Sequence, residues 1–97
     1  MPTYITLVKF TQKGIEDIKH GPDRLTTAKQ RAKSRGGELK AFYLTLGRYD
    51  AVVINEAPND EAAAAGGLAA GAQGYIRTET LRAFTEDEYK KIVAALP

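Results

Sequence analysis

Side chains that could transfer a proton are few in this sequence. The chain contains one histidine, His20, and no cysteine. His20 precedes a predicted helix, and its ordinary pKa near neutrality suits a general base. Asp50, at the exit of a short polar loop, is the second candidate for a catalytic role. A solvated loop histidine and an aspartate that closes a turn are the simpler interpretations of the same two residues.

A second set of polar side chains lies on or beside predicted strands that are otherwise apolar. Charge on such a strand needs a partner or a wet cavity. Tyrosine and arginine side chains could hold an aromatic or anionic small molecule in a cavity of this kind. The alternative is that Arg77 pairs with Glu79 or Asp50 across the sheet and stabilises the strands. The candidate ligand-binding residues are Lys9, Tyr43, Tyr49, Asp50, Arg77 and Thr78.

The sequence contains no recognised motif for a metal, a phosphate group or a nucleophile. With one histidine and no cysteine, a single subunit cannot supply a multi-histidine or thiolate metal site. The glycines at positions 66, 67, 71 and 74 fit neither the P-loop nor the G-x-G-x-x-G pattern. No G-x-S-x-G nucleophile elbow occurs. We therefore expect no metal site and no cofactor.

Composition predicts one globular domain that spans residues 1–97. Apolar residues make up 43% of the chain and charged residues 27%, which are ordinary globular values. No signal peptide or membrane-spanning segment is recognisable, so we expect a cytoplasmic protein with no membrane partner.

Charge is divided unevenly along the chain. Residues 1–48 carry ten Lys/Arg and four Asp/Glu, whereas residues 49–97 carry four and eight. A basic half could contact nucleic acid or an anionic ligand. The basic residues of the first long helix alternate at two-residue intervals, however, so they fall on two helix faces. This spacing disfavours nucleic acid as a partner.

The centre of the chain is predicted to be a β-hairpin. Residues 41–46 and 51–54 are rich in aromatic and β-branched residues, and they enclose the tetrapeptide Gly47-Arg48-Tyr49-Asp50. Further strands are expected at 4–11 and 75–84. Helices are expected at 22–35, at 62–71 and after Thr85, where Thr85 and Glu88 match the capping box.

The resulting order of strand, helix, strand, strand, helix, strand, helix predicts an α+β fold. It matches the ferredoxin-like βαββαβ arrangement, an antiparallel sheet with helices on one face, with an added C-terminal helix. The first strand carries apolar residues on both of its faces. A second copy of the chain should therefore cover the bare face of the sheet and form a homodimer.

Three stretches of the sequence resemble the GYD domain family over nearly the whole chain. They are YITLVKFTQKGI, FYLTLGRYDAVVINEAPNDEAAAA and RTETLRAFTEDEYKKIV, and the family's Gly-x-Tyr-Asp signature falls on Gly47, Tyr49 and Asp50. The resemblance implies a dimeric α/β barrel in which two ferredoxin-like subunits join their sheets back to back. It implies no particular activity, because the wider barrel group includes isomerases, cofactor-free oxygenases and haem-handling enzymes.

Two function hypotheses follow from these features. In the first, a small homodimer binds a small organic molecule in a barrel or sheet–helix cavity, where cofactor-free isomerase or oxygenase chemistry could take place. In the second, the chain is a non-catalytic structural or interaction domain, with nucleic-acid binding on the basic helix as its less favoured form. The sequence leaves open whether the protein is an enzyme.

Overall fold

The computed structural model describes the whole chain, Met1–Pro97, as four strands and four α-helices. The strands are β1 (Thr3–Phe10), β2 (Glu38–Leu44), β3 (Ala51–Glu56) and β4 (Ile76–Ala83). The helices are α1 (Gln12–Glu16), α2 (Gly21–Ser34), α3 (Asp60–Ala72) and α4 (Glu86–Ala94), with a single 3-10 turn at Ile18–His20. The predicted order of elements is confirmed, and α1 lies in a stretch expected to be a polar loop or short helical turn.

The four strands form one antiparallel sheet in the order β2-β3-β1-β4. In the middle of the sheet, Thr6 of β1 lies between Val53 of β3 and Thr80 of β4. The register between β2 and β3 shifts at Lys40, between Leu39 and Ala41. Sheet and helices together give the α+β class that the sequence predicts.

The helices begin where side chains can satisfy their first backbone amides. The Asn59 side chain accepts a hydrogen bond from the Ala62 amide at 2.9 Å, which starts α3. At the start of α4, the Glu88 amide donates to Thr85 Oγ1 at 3.2 Å, and the Thr85 amide donates to Glu88 Oε1 at 2.9 Å. The predicted capping box is thus confirmed.

One face of the sheet, which we call the helix face, is covered by α2 and α3. Their adjacent placement follows from the approach of Arg35 of α2 to Gly66 of α3. The tyrosine and valine of β1 that point to this face, Tyr4 and Val8, are 3% and 5% exposed, and Ala51 of β3 is fully buried. The small core of the chain therefore lies between β1, β3 and the two helices.

The opposite face of the sheet, which we call the open face, has no helix over it. The centre of this face is formed by Ile5, Leu7, Val52, Ile54 and Leu81, and every one of these side chains is at least partly exposed. Only five of 97 residues are buried in the whole chain. Its accessible surface is 6776 Å², whereas a compact chain of this mass is expected to expose about 5,400 Å². The single chain leaves much apolar surface in contact with water.

Helix α4 projects from the end of β4 and makes only isolated contacts with other elements. The apolar residues Tyr89, Ile92 and Val93 of α4, and Leu96 just beyond its end, are all 45% exposed or more. The chain consequently measures 52 × 31 × 18 Å. No helix combines the length and the apolar character that crossing a membrane would require.

Candidate functional site

The loop between β2 and β3 is closed by its own hydrogen bonds. The Thr45 amide donates to the Asp50 carbonyl at 3.0 Å, and Thr45 Oγ1 donates to the Tyr49 carbonyl at 2.7 Å. Gly47 has a φ of +106°, a left-handed conformation that side chains disfavour. The loop thus directs Tyr49 and Asp50 back toward the sheet.

Asp50 fastens this loop to the end of β1. Its carboxylate accepts a hydrogen bond from the Phe10 amide at 2.8 Å, and its own amide donates to the Val8 carbonyl at 2.8 Å. The amide of Phe10 would otherwise have no partner from β3, because the β1–β3 pairing ends at Val8 and Ala51. Asp50 therefore stabilises the edge of the sheet by holding the β2–β3 loop against the end of β1.

Tyr49 crosses the open face from β3 toward β4. Its ring lies 5.5 Å from Lys9 Nζ, and its hydroxyl donates to Glu79 Oε2 at 3.1 Å. Lys9, Tyr49 and Glu79 therefore form a polar rim at one end of the open face. Tyr43 lies on β2 and is 63% exposed. Three of the predicted ligand-binding residues thus belong to the open face, without an enclosed cavity around them.

Thr78 lines a different feature, a groove of about 830 Å³ between α3 and β4. Arg77 borders this groove, but because it pairs with Lys9 across β1 and β4, its side chain lies on the open face. The α3 wall of the groove is made of small residues, and a side chain placed on Gly67 would touch Thr78 Oγ1. Arg77 pairs with neither Glu79, which accepts from Tyr49, nor Asp50, which accepts from the Phe10 amide. We call this feature the α3–β4 groove.

The far end of the α3–β4 groove is closed by a bond that the sequence did not predict. The Tyr4 hydroxyl donates to Asp60 Oδ1 at 2.5 Å, and this hydrogen bond to a carboxylate raises the pKa of Tyr4. Arg82, beside Tyr4, donates to the carbonyls of Thr3 and Ala83 and stacks on the Phe84 ring at 4.4 Å. No local sequence signal links residues 4 and 60, since their contact arises only from the sheet and helix packing.

His20 lies neither on the open face nor in the α3–β4 groove. Its Nδ1 is 2.6 Å from Asp17 Oδ1, and Arg24 donates to the other oxygen of Asp17 at 2.7 Å. The hydrogen bond with Asp17 and the charge of that carboxylate raise the pKa of His20. This shift favours the protonated imidazole, and the Asp17 carboxylate already occupies Nδ1. An i, i+3 spacing of Asp17 and His20 is the one sequence signal that could have suggested the pair.

The structure therefore divides the predicted site residues among three places. The open face and its rim hold Lys9, Tyr43, Tyr49, Asp50 and the Arg77 side chain, the α3–β4 groove holds Thr78, and a surface hollow beside α2 holds His20. No three side chains of the metal-ligating types lie together. Among these features, the open face is the largest and the groove is the most defined in shape.

The sequence model of the GYD domain family matches residues 4–93. A protein of Thermus thermophilus described as "Glutamine synthetase and cystathionine beta-lyase binding protein" is 33% identical over 84 residues, which cover 86% of this chain and 88% of that protein. No solved structure matches the chain significantly.

Proposed function

The chain belongs to the GYD domain family, and from this membership and its open sheet face we propose that it is a cytoplasmic homodimer that binds other proteins. The observation that carries the proposal is the uncovered apolar surface at the centre of the open face. Surfaces of this kind mark interaction sites in proteins that fold stably. The polar residues predicted to form a catalytic cavity lie apart from one another, which favours binding over catalysis.

Self-association is the first part of the proposal. The strand order β2-β3-β1-β4 supports a ferredoxin-like sheet, and a sheet of this kind would expose the face opposite its helices. Two open faces packed together would bury Ile5, Leu7, Val52 and Ile54 in a dimeric α/β barrel. Lys9 and Glu79 at the rim would stay near water, as polar residues at the edge of an interface do.

Protein partners are the second part of the proposal. The Thermus relative is described as binding two enzymes of amino-acid metabolism, and similarity to it extends over most of both chains. A role as an adaptor for metabolic enzymes would need exposed surface that remains free in the dimer. The outer surfaces of α2 and α3, the β2 end with Leu46 and helix α4 provide such surface.

The two parts are tested separately with the purified protein. Light scattering after size-exclusion chromatography should give the mass of a dimer, and Ile54→Lys on the open face should give a monomer. The matched control is Lys29→Ala on exposed α2, which should leave the dimer unchanged. A wild-type monomer at high micromolar concentration would refute self-association.

Binding to enzymes is tested with immobilised protein and the glutamine synthetase and cystathionine β-lyase of the same organism. We expect saturable binding to at least one of them, and none to a bacterial enzyme of similar size and charge. Absence of binding to both enzymes would count against this class of partner, whatever the oligomeric state.

A second candidate function is binding of a small organic anion in the α3–β4 groove. It is favoured by one observation, that the Thr78 hydroxyl, which has no polar partner in the chain, and the cationic Arg82 both line the groove. If an isomerase or oxygenase reaction took place in the groove, Asp60 would transfer the proton. Its carboxylate accepts a hydrogen bond from the Tyr4 hydroxyl. Native mass spectrometry with a metabolite panel should detect a complex that Thr78→Val removes.

A further inference from the structure

Two pairs of like-charged residues lie on the open face, each formed by residues directly opposite each other on neighbouring strands. The register of β1 and β4 pairs Lys9 with Arg77, and the register of β2 and β3 pairs Glu38 with Glu56. We call them the basic pair and the acidic pair. Like charges in this position destabilise a sheet. Each pair would therefore be stabilised by a surface of the opposite charge.

The chain itself neutralises the two pairs only in part. Neither member of the basic pair forms a salt bridge. The carboxylates at this end of the sheet have other partners, because Glu79 accepts from a tyrosine hydroxyl and Asp50 from a backbone amide. At the acidic pair, Lys40 Nζ lies 3.6 Å from Glu38 Oε2 and 3.9 Å from Glu56 Oε1, so one ammonium group is shared by two carboxylates.

The two pairs lie at diagonally opposite corners of the open face. The basic pair is on β1 and β4, at the level of Lys9, whereas the acidic pair is on β2 and β3, at the level of Thr3. These levels are about 20 Å apart along β1. The apolar centre of the face, with Ile5 and Ile54, lies between them. The charged corners therefore flank the apolar surface that the proposed dimer would bury.

We propose that the basic pair of each copy contacts the acidic pair of the other copy in the homodimer. A two-fold axis between the two sheets, perpendicular to the line that joins the pairs, exchanges the two corners and forms the contact twice. An axis along the strands would place the basic pair toward the β2–β3 loop, and an axis across them would place it opposite Thr3 and Ala83. Only the diagonal axis joins opposite charges.

This inference rests on the self-association in the proposed function and adds the orientation of the two copies. The charged residues lie at the rim, where the Glu38 side chain is 50% exposed. Charges in such positions fix the register of an interface and disfavour wrong partners more than they add affinity. The apolar centre therefore holds the copies together, and the charged pairs select a second copy in one orientation.

Charge swapping tests the contact with two variants that differ in tag length and are mixed in equal amounts. The first variant carries Lys9→Glu and Arg77→Glu, and the second carries Glu38→Lys and Glu56→Lys. Each variant repels itself at both contacts, whereas the two variants complement each other at both. We expect the dissociation constant of each homodimer to rise about tenfold. Native mass spectrometry of the mixture should show about tenfold more heterodimer than either homodimer.

The matched control replaces the first variant by Lys29→Glu with Lys33→Glu on α2, two exposed lysines that form no salt bridge. Its mixture with the second variant has the same net charges but should give only the statistical share of heterodimer. A statistical share in the swapped mixture, or an equal excess in both mixtures, would overturn the proposal.

A neutral variant tests the same contact without introducing repulsion that could prevent folding. The dissociation constant of the wild-type dimer should rise several-fold when sodium chloride increases from about 0.05 M to about 0.5 M, because salt screens exposed charges. Lys9→Gln with Arg77→Gln should show a smaller rise, and an equal rise would contradict the contact. If the wild type is a dimer and Ile54→Lys a monomer in that case, the open-face dimer stands and only its orientation fails. A wild-type monomer would instead refute the self-association itself.

Discussion

Asp50 shows how a single carboxylate can hold a hairpin loop in place. Asp50→Ala would leave the Phe10 amide without its 2.8 Å acceptor at a partly buried position. We expect the free energy of unfolding to fall by about 1–3 kcal/mol, the range for a hydrogen bond to a charged group. Urea unfolding followed by circular dichroism would measure the change.

The neighbouring Arg48→Ala is the matched control for Asp50→Ala, because Arg48 is exposed in the same loop and makes no polar contact in the structure. Its effect should stay within about 0.5 kcal/mol. If the two substitutions cost the same, the bond to Phe10 contributes nothing, and the aspartate is free for another role.

His20 and Asp17 give the chain a pH-dependent contribution to stability. The pKa of His20 is raised by its bond to Asp17, so its contribution is complete below about pH 6.5 and is lost as pH rises through the folded-state pKa. The pKa of Asp17 is lowered, first by its bond to His20, so its contribution is present above about pH 4 and is lost as pH falls through the folded-state pKa.

The expected signature of this pair is a stability difference between wild type and His20→Gln that is largest between about pH 4 and pH 6.5. Denaturant midpoints measured from pH 4 to pH 9 would reveal it. Asp23→Asn, on the same surface but without a bond to His20, serves as the control and should give a flatter profile. A difference that grows above pH 8 would contradict the assignment.

Among the elements, glycines decide how closely α1 and α3 approach their neighbours. A side chain on Gly14 would overlap the Tyr75 carbonyl oxygen, which the backbone cannot easily move away. Gly66 of α3 faces only the flexible end of Arg35, 3.9 Å away. Gly14→Ala should therefore destabilise the fold, whereas Gly66→Ala should stabilise it by up to about 1 kcal/mol through helix propensity. Thermal unfolding of both variants would compare them, and a loss of stability in Gly66→Ala would contradict the open space seen beside that helix.

The elements themselves could be predicted from the sequence because their signals are local. Asn59 and the Thr85–Glu88 pair mark helix starts through hydrogen bonds between residues only three positions apart, and the structure contains these hydrogen bonds. The alternation of β4 likewise places Thr78 and Thr80 on the helix face and Glu79 on the open face. Boundaries differ by one residue at each end in β4, which spans Ile76–Ala83 rather than 75–84, and by up to three residues in β2, which spans Glu38–Leu44 rather than 41–46.

The arrangement of side chains around a candidate site could not be predicted in the same way. The contacts from Tyr49 to Glu79 and from Tyr4 to Asp60 join residues 30 and 56 positions apart. Such contacts depend on which strands become neighbours and on how a helix lies across them. Residue types identified Arg77 and Thr78 as polar candidates, but the register of β4 places them on opposite faces of the sheet, and only the packing of α3 shows that Thr78 lines a groove.

At the scale of the whole molecule, a single copy of the chain exposes two apolar surfaces that we expect to be buried in the functional state. The open face lies on one side of the sheet, and α4 extends from one end of it. An accessible surface of 6776 Å² leaves a single copy with little burial to offset the entropy of folding. Stability and self-association should therefore be coupled, since most of the missing burial can come only from another chain.

This coupling predicts that stability depends on protein concentration. If the chain unfolds from a dimer to two unfolded monomers, each tenfold rise in concentration should add about 1.4 kcal/mol to the apparent free energy of unfolding per dimer. Guanidinium unfolding at 1, 10 and 100 micromolar chain would measure the shift in midpoint. Ile54→Lys, which places a charge at the centre of the open face, should unfold at one lower midpoint at all three concentrations. A wild-type midpoint that stays constant over this range would mean that a single copy is stable despite its open surfaces, and the interface on the open face would then have to be abandoned.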